Sequence, residues 1–203
     1  MSQFANYLNE VGMLNRTPRS GFAFLGAGEQ SVAEHIYRMM HVAFLLVRMS
    51  QTGERVDASH VLNLVMFHDL PEARTSDHNY VNRKYVQEDL EKVLEDATSH
   101  WPFGEEIAAY IREFETAETP AAQLAKDADQ LELLLVLKEQ GDLGHPHVDD
   151  WIKPLLARLK TDAGKRLADE ILTTRWDEWW FNNKQDPHWI SGDKRRPEEL
   201  KPT

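Results

Sequence analysis

The chain contains no cysteine, which excludes disulfides, thiolate metal sites and cysteine nucleophiles. Basic residues are scarce: 23 Lys and Arg against 34 Asp and Glu leave a formal net charge of −11. Such a chain lacks the basic face that displaces counterions from duplex nucleic acid, so no nucleic acid polymer is expected as a partner. A small anionic substrate remains compatible, because a few local cations can define a pocket. Long hydrophobic runs are missing as well. The longest strongly apolar stretches, residues 42–47 and 131–137, fall far short of the ~20 residues that span a bilayer. Residues 1–10 lack a basic patch followed by an apolar run, so no secretory signal is expected. These absences point to a cytoplasmic protein with no membrane partner. Strand-type alternation and internal repeats are also lacking.

What is present is helical periodicity. Val32, Met39, Val42, Ala43 and Leu46 recur on one helix face, and Ser31 followed by Glu34 has the capping-box spacing of a helix start. A second helix fits 58–70, with a break or kink near Asp69–Leu70 because Pro71 has no amide proton and disfavours helix before it. Further helices fit 84–97, 105–116, 120–140, 148–160 and 163–181. The expectation is an all-α helical bundle, a single domain over 1–183 with a helical C-terminal extension at 148–183. Residues 184–203 read as a loosely attached polar tail. A chain of 203 residues can bury roughly 70% of the surface that its unfolded form exposes, enough for a sizeable core.

Four polar residues fall on faces that should be buried. His35 shares a face with Val32, Met39 and Val42, and His68 with Val61, Leu64 and Val65. Asp69 lies over Leu62, Val65 and Met66, and Asp129 heads the helix carrying Leu133, Val136 and Leu137. Burying an unpartnered carboxylate costs several kcal/mol, and two would consume much of a typical 5–15 kcal/mol of net stability. A divalent cation removes the difficulty, since two imidazoles and two carboxylates neutralise a +2 charge. That donor set suits Mn, Fe, Co or Zn, and Mg less well. Taken singly, each residue has another reading: a core histidine, a capped helix end at His68–Asp69, or a helix-head charge at Asp129, for which Asp127 could substitute.

The joint pattern His35, His68-Asp69 and Asp129 resembles the signature of HD-domain metal-dependent phosphohydrolases. The segments SVAEHIYRM (31–39), MFHDLPEARTSD (66–77) and AKDADQLELLL (125–135) sharpen the likeness towards the small 5′-deoxynucleotidase subgroup, over about residues 8–140. The resemblance implies an HD-domain bundle in which His35, His68, Asp69 and Asp129 ligate the metal and Glu72 and Asp77 act in catalysis. It also implies an upstream Arg holding the nucleotide; NRTPRSGF offers Arg16 and Arg19, of which Arg19 is favoured. A Trp often stands near that Arg in the family, where this chain has Phe22, so sugar selectivity is open. The implied reaction removes the 5′-phosphate of a (deoxy)nucleoside monophosphate. Alternatives are another HD phosphohydrolase, acting on cyclic nucleotides or nucleoside triphosphates, or a non-catalytic nucleotide-binding metal protein.

The other chemistry-bearing residues have plainer readings. Glu72 could favour a short helix N-terminus, Asp77 could be a turn residue, and Arg19 a surface cation. His78 and His100 lie where two-metal members of the superfamily place extra ligands, but a single-metal site is the working expectation. His145 and His147 flank Pro146 in a loop, and Arg38, one turn after His35, could meet a carboxylate or the phosphate. Trp176, Trp179 and Trp180 fall at helical spacing and, with Phe181 and Trp189, suggest packing against the core or a homodimer partner.

Overall fold

The computed structural model describes residues 3–50 and 56–192. Twelve α-helices follow one another among them: α1 (Gln3–Val11), α2 (Gly21–Leu25), α3 (Val32–Met49), α4 (Ala58–Phe67), α5 (Glu72–Thr75), α6 (Leu90–Thr98), α7 (Gly104–Thr116), α8 (Pro120–Asp142), α9 (Val148–Arg158), α10 (Asp162–Thr173), α11 (Glu178–Phe181) and α12 (Pro187–Ser191). Extended pairing among the described residues is limited to an isolated antiparallel bridge between Pro18 and Ser31, and the fold is all-α. No helix among them is long and apolar enough to cross a membrane.

Helix starts follow local chemistry. The Ser31 hydroxyl accepts from Glu34 N at 3.2 Å while the Glu34 carboxylate accepts from Ser31 N at 2.7 Å, which closes the capping box and begins α3 where its spacing places it. Thr119 caps α8 by accepting from Ala122 N, and Pro120 occupies the first turn, where a missing amide costs nothing. The helix expected over 58–70 ends at Phe67, with His68 as its C-cap. The chain then turns through Leu70 and Pro71 into α5, so the break falls slightly earlier than Pro71 suggests.

Two other expected helices are shorter than their periodicity. The stretch expected from 84 holds a 3-10 turn at Asn82–Lys84, and α6 starts only where Asp89 accepts from Lys92 N at 3.0 Å. The helix expected over 163–181 divides into α10 and α11. Thr174 is extended at φ −101°, ψ 129°, and Asp142 at the end of α8 accepts from Trp176 N at 2.9 Å. A distant carboxylate therefore holds the amide that the helix would have used, and Trp176 does not share one helix face with Trp179 and Trp180. Within the expected tail, α12 brings Trp189 edge-on to Phe181 at 4.7 Å; residues 193–203 of that tail lie outside the described residues.

The core centres on α8, which packs against α3, α4, α7, α9 and α10. Leu124, Ala125, Ala128, Leu131, Leu134 and Leu137 are buried along it, as expected for a helix enclosed on several sides. Where α3, α4 and α8 meet, the apolar layer gives way to the polar residues of the candidate site.

Candidate active site

Each polar side chain is aimed by the element that carries it. His35 is fully buried on α3, and its Nδ1 lies 2.6 Å from Glu132 Oε2. A carboxylate can only accept here, so Nδ1 carries a proton and Nε2 faces the other way. His68, buried at the end of α4, repeats the arrangement: its Nδ1 donates to Val65 O at 2.8 Å. Both Nε2 atoms are buried without a hydrogen-bond partner.

The two nitrogens converge on carboxylates. Asp129 Oδ1 is 3.3 Å from His35 Nε2, while Asp69 Oδ2 is 3.0 Å from His68 Nε2 and 3.8 Å from His35 Nε2. One ligand atom each from His35, His68 and Asp129 lie within 4.8 Å of one another. Two buried imidazole nitrogens without a hydrogen-bond partner, facing two carboxylates, are a donor set that could hold a divalent cation. The protonated Nδ1 atoms supply the outer hydrogen bonds that such histidines usually make.

Charge in this cluster is finely opposed. Burial works against ionised Asp69, but His68, then His35 and Arg19, outweigh it and hold the carboxyl at about 2. Asp129 is likewise held well below the usual carboxylate range: burial opposes ionisation, and His35 and Arg19 prevail. Burial and Arg19 disfavour the His35 cation, yet Asp129 and Glu132 raise it to about 9. Glu72, at the head of α5, behaves oppositely to the aspartates. Burial first, then the neighbouring charges of Asp69 and Asp77, push it up to about 9, and its Oε2 is buried without a partner. A carboxylic acid that keeps its proton at neutral pH is a proton donor in waiting.

Arg19 reaches over the cluster, its guanidinium 3.4 Å from Asp69 Oδ2 and 4.0 Å from Asp129 Oδ1. Arg16 is different: it is exposed, and the structure does not bring its side chain to the cluster. Asp77 faces the same region but is tied by Oδ2, which accepts from Ser20 N at 2.6 Å and Ser20 Oγ at 3.1 Å. Asn79 Nδ2 donates to Ser20 Oγ at 3.0 Å, so the segment after α5 clamps the residue next to Arg19. His78 Nδ1 lies 2.8 Å from Glu88 Oε1 and His100 is exposed; neither belongs to the metal-ligand group. His145 Nε2 meets Leu25 O at 2.9 Å, fastening the end of α2 to the loop before α9.

A family model described as HD domain matches residues 11–171. The chain belongs to the HD-domain family. The match continues through α9 and into α10, beyond the 8–140 stretch that holds the motif residues. Among relatives of this HD-domain protein, a Danio rerio protein named 5′-deoxynucleotidase HDDC2 is 27% identical over 154 residues, covering 70% of this chain and 72% of the relative. A Dictyostelium discoideum protein of the same name is 27% identical over 144 residues, covering 66% and 76%. A conserved hypothetical protein of known structure from Pyrococcus furiosus superposes with a TM-score of 0.70 at 25% identity, covering 82% of this chain and 98% of that one.

Sequence reading of this HD-domain protein missed three residues around the cluster: Ser20, Gln30 and Glu132. Ser20 and Gln30 carry no signal of their own in a loop. Glu132 did leave one, since a carboxylate inside LELLL on a buried helix is as anomalous as His35.

Proposed function

We propose that this chain is a metal-dependent phosphomonoester hydrolase that removes the 5′-phosphate of (deoxy)nucleoside monophosphates. The observation that carries the reading is the convergence of two buried histidine nitrogens without a hydrogen-bond partner on Asp129 and Asp69, beneath Arg19 and beside Glu72. His35, His68, Asp69 and Asp129 would hold a divalent cation, with Mn, Co, Fe and Zn favoured by the donor set over Mg. When bound there, such a cation lowers the pKa of a coordinated water and withdraws charge from a phosphoryl oxygen.

The chain supplies the remaining chemistry. Arg19 is kept positive by Asp69, Asp129, Asp77 and Glu72 against the cost of burial, and it can exchange a carboxylate contact for phosphate oxygens. Glu72, whose carboxyl is pushed up by burial and by the charges of Asp69 and Asp77 in the metal-free protein, stands where it can deliver a proton to the 5′ oxygen as the P–O bond breaks. Asp77, through Ser20, fixes the segment that presents Arg19. The names of the HDDC2 relatives support a 5′-deoxynucleotide substrate. Trp179 is 83% exposed, with Trp180 and Trp189 also open to solvent; these aromatics support a homodimer contact, which light scattering on the full chain checks.

Phosphate release from ribo- and deoxyribonucleoside monophosphates, triphosphates and cyclic forms tests the reading, using chelator-stripped protein reloaded with single metals. Metal-dependent release from 5′-monophosphates is expected. The Glu72→Gln variant should lose about 100-fold or more in kcat while its metal content, measured by mass spectrometry, stays the same. Turnover confined to triphosphates or cyclic nucleotides would replace the substrate, and an unchanged kcat would remove Glu72 from proton transfer.

A further inference from the structure

Glu132 lies one helical turn beyond Asp129 on α8 and is fully buried among leucines. It has no place in the metal-ligand group, yet both its oxygens are engaged. Oε2 faces His35 Nδ1 at 2.6 Å. Oε1 accepts from Arg38 Nε at 2.9 Å, Arg38 Nη2 at 2.6 Å and Gln30 Nε2 at 2.7 Å. Arg38 is partly exposed and supplies the compensating charge that a buried carboxylate needs. Gln30 also accepts from Arg19 N through its backbone oxygen at 2.8 Å, so the same network ends at the segment bearing Arg19.

We propose that Glu132 is a positioning residue: it keeps the proton of His35 on Nδ1 and so turns the Nε2 lone pair towards the metal site. Arg38 and Gln30 fix the carboxylate in the rotamer that does this, while their N–H groups occupy Oε1. The inference rests on the metal reading above and adds an orienter to it. His68 needs no such carboxylate, because the Val65 carbonyl performs the same task from the backbone of its own helix. His35 stands in the first turn of α3, where the Ser31 carbonyl behind it already accepts the His35 amide at 3.1 Å, whereas His68 ends α4 and finds a free carbonyl, so the orienter of His35 comes from α8.

Glu132→Gln tests this with almost no change in volume. Arg38 and Gln30 present three N–H groups to one position, which an amide oxygen can accept and an amide nitrogen cannot. The amide nitrogen is then left opposite His35 Nδ1. That nitrogen is a donor, so the neutral ring is driven to the form protonated at Nε2, with its proton pointing into the site. Zinc titration into the stripped proteins should show an affinity about 10–100-fold weaker for the variant, with the circular dichroism spectrum in chelator close to wild type. Long-range 15N–1H correlation spectra of zinc-loaded wild type should show His35 protonated at Nδ1 and bound through Nε2. Affinity within twofold of wild type, or a His35 without the Nδ1 proton, would overturn the role given to Glu132. If E132Q does not fold, the wild-type spectrum decides alone. A wild-type protein that takes up no zinc, manganese or cobalt would overturn the metal site itself, and the inference with it.

Discussion

Asp127 and Asp129 stand two positions apart about two turns into α8, and their partners assign them to different tasks. Asp127 is fully buried and accepts from Lys160 N at 2.8 Å, Thr161 N at 2.8 Å and Thr161 Oγ1 at 2.6 Å, locking the turn between α9 and α10. A Cβ added to Gly164 would collide with this carboxylate, so glycine there is required by close approach. Asp129 turns instead to His35. Read singly, the residues leave either aspartate open as the ligand and only the family resemblance favours Asp129, because what separates them physically lies more than thirty residues further along the chain. Asp127→Ala should strand two amide groups and cost about 2–4 kcal/mol of stability, with metal affinity intact. Asp129→Ala should abolish tight metal binding. Denaturant melts in chelator, paired with metal content, check both; matching losses in the two variants would refute the division of labour.

At the scale of elements, the short turn that leaves α5 carries backbone strain. Ser76 sits at φ 67°, ψ 164°, a region that essentially only glycine enters freely and that costs a side-chain-bearing residue about 1–3 kcal/mol. It lies between Glu72 and Asp77 and delivers Asp77 to Ser20. Ser76→Gly should relieve the strain and, after about 0.5–1 kcal/mol for glycine's greater unfolded entropy, raise stability by about 1 kcal/mol. A higher melting temperature with a lower kcat is expected, because the strained turn fixes the direction of Asp77. A lower melting temperature would show that the conformation costs this chain nothing. Nothing local in the sequence marks Ser76, whereas the start of α3 was legible because Ser31 and Glu34 cap it from within three residues. The same contrast explains the helix expected over 163–181. Its periodicity was readable, but the hydrogen bond from Trp176 N to Asp142 that interrupts it joins residues on separate helices. A candidate ligand set could be proposed from sequence because burying His35, His68, Asp69 and Asp129 on apolar faces makes sense only jointly, and the structure brings these four side chains together. Arg38 was left undecided and Glu132 was overlooked, because their meaning depends on how α3 and α8 face each other.

For the whole molecule, this cluster dictates how the metal-free protein responds to pH. His35 and Glu72 both have folded values raised to about 9, from unfolded values of about 6.5 and 4.3. For a raised group the native state holds the extra proton, so its stabilisation is complete below the unfolded value and is lost as pH climbs to the folded one. Glu72 therefore begins to lose its contribution above about pH 4.3 and His35 above about 6.5, and both are spent near 9. Asp69 and Asp129 are depressed, so their contribution is present above the unfolded value of about 3.9 and fades in acid as pH falls through the folded values. Stability in chelator should accordingly peak at about pH 4, fall gently as Glu72 loses its contribution, and fall more steeply above about 6.5 when His35 joins it. One excess native proton tilts stability by about 1.4 kcal/mol per pH unit, which for a chain of this size moves the melting temperature by about 3–5 °C per unit. Because both Glu72 and His35 give up an excess proton between about pH 6.5 and 9, the metal-free protein should thus lose on the order of 10–20 °C over that interval. Saturating divalent cation should reverse the trend, because binding needs the imidazole that alkali provides, so the melting gain from metal grows over the same interval. Scanning fluorimetry across that range, in chelator and in metal, reads both slopes. A flat profile in chelator would mean that Glu72 and His35 are not poised against the aspartates, and the protonated Glu72 needed for leaving-group departure would lose its support.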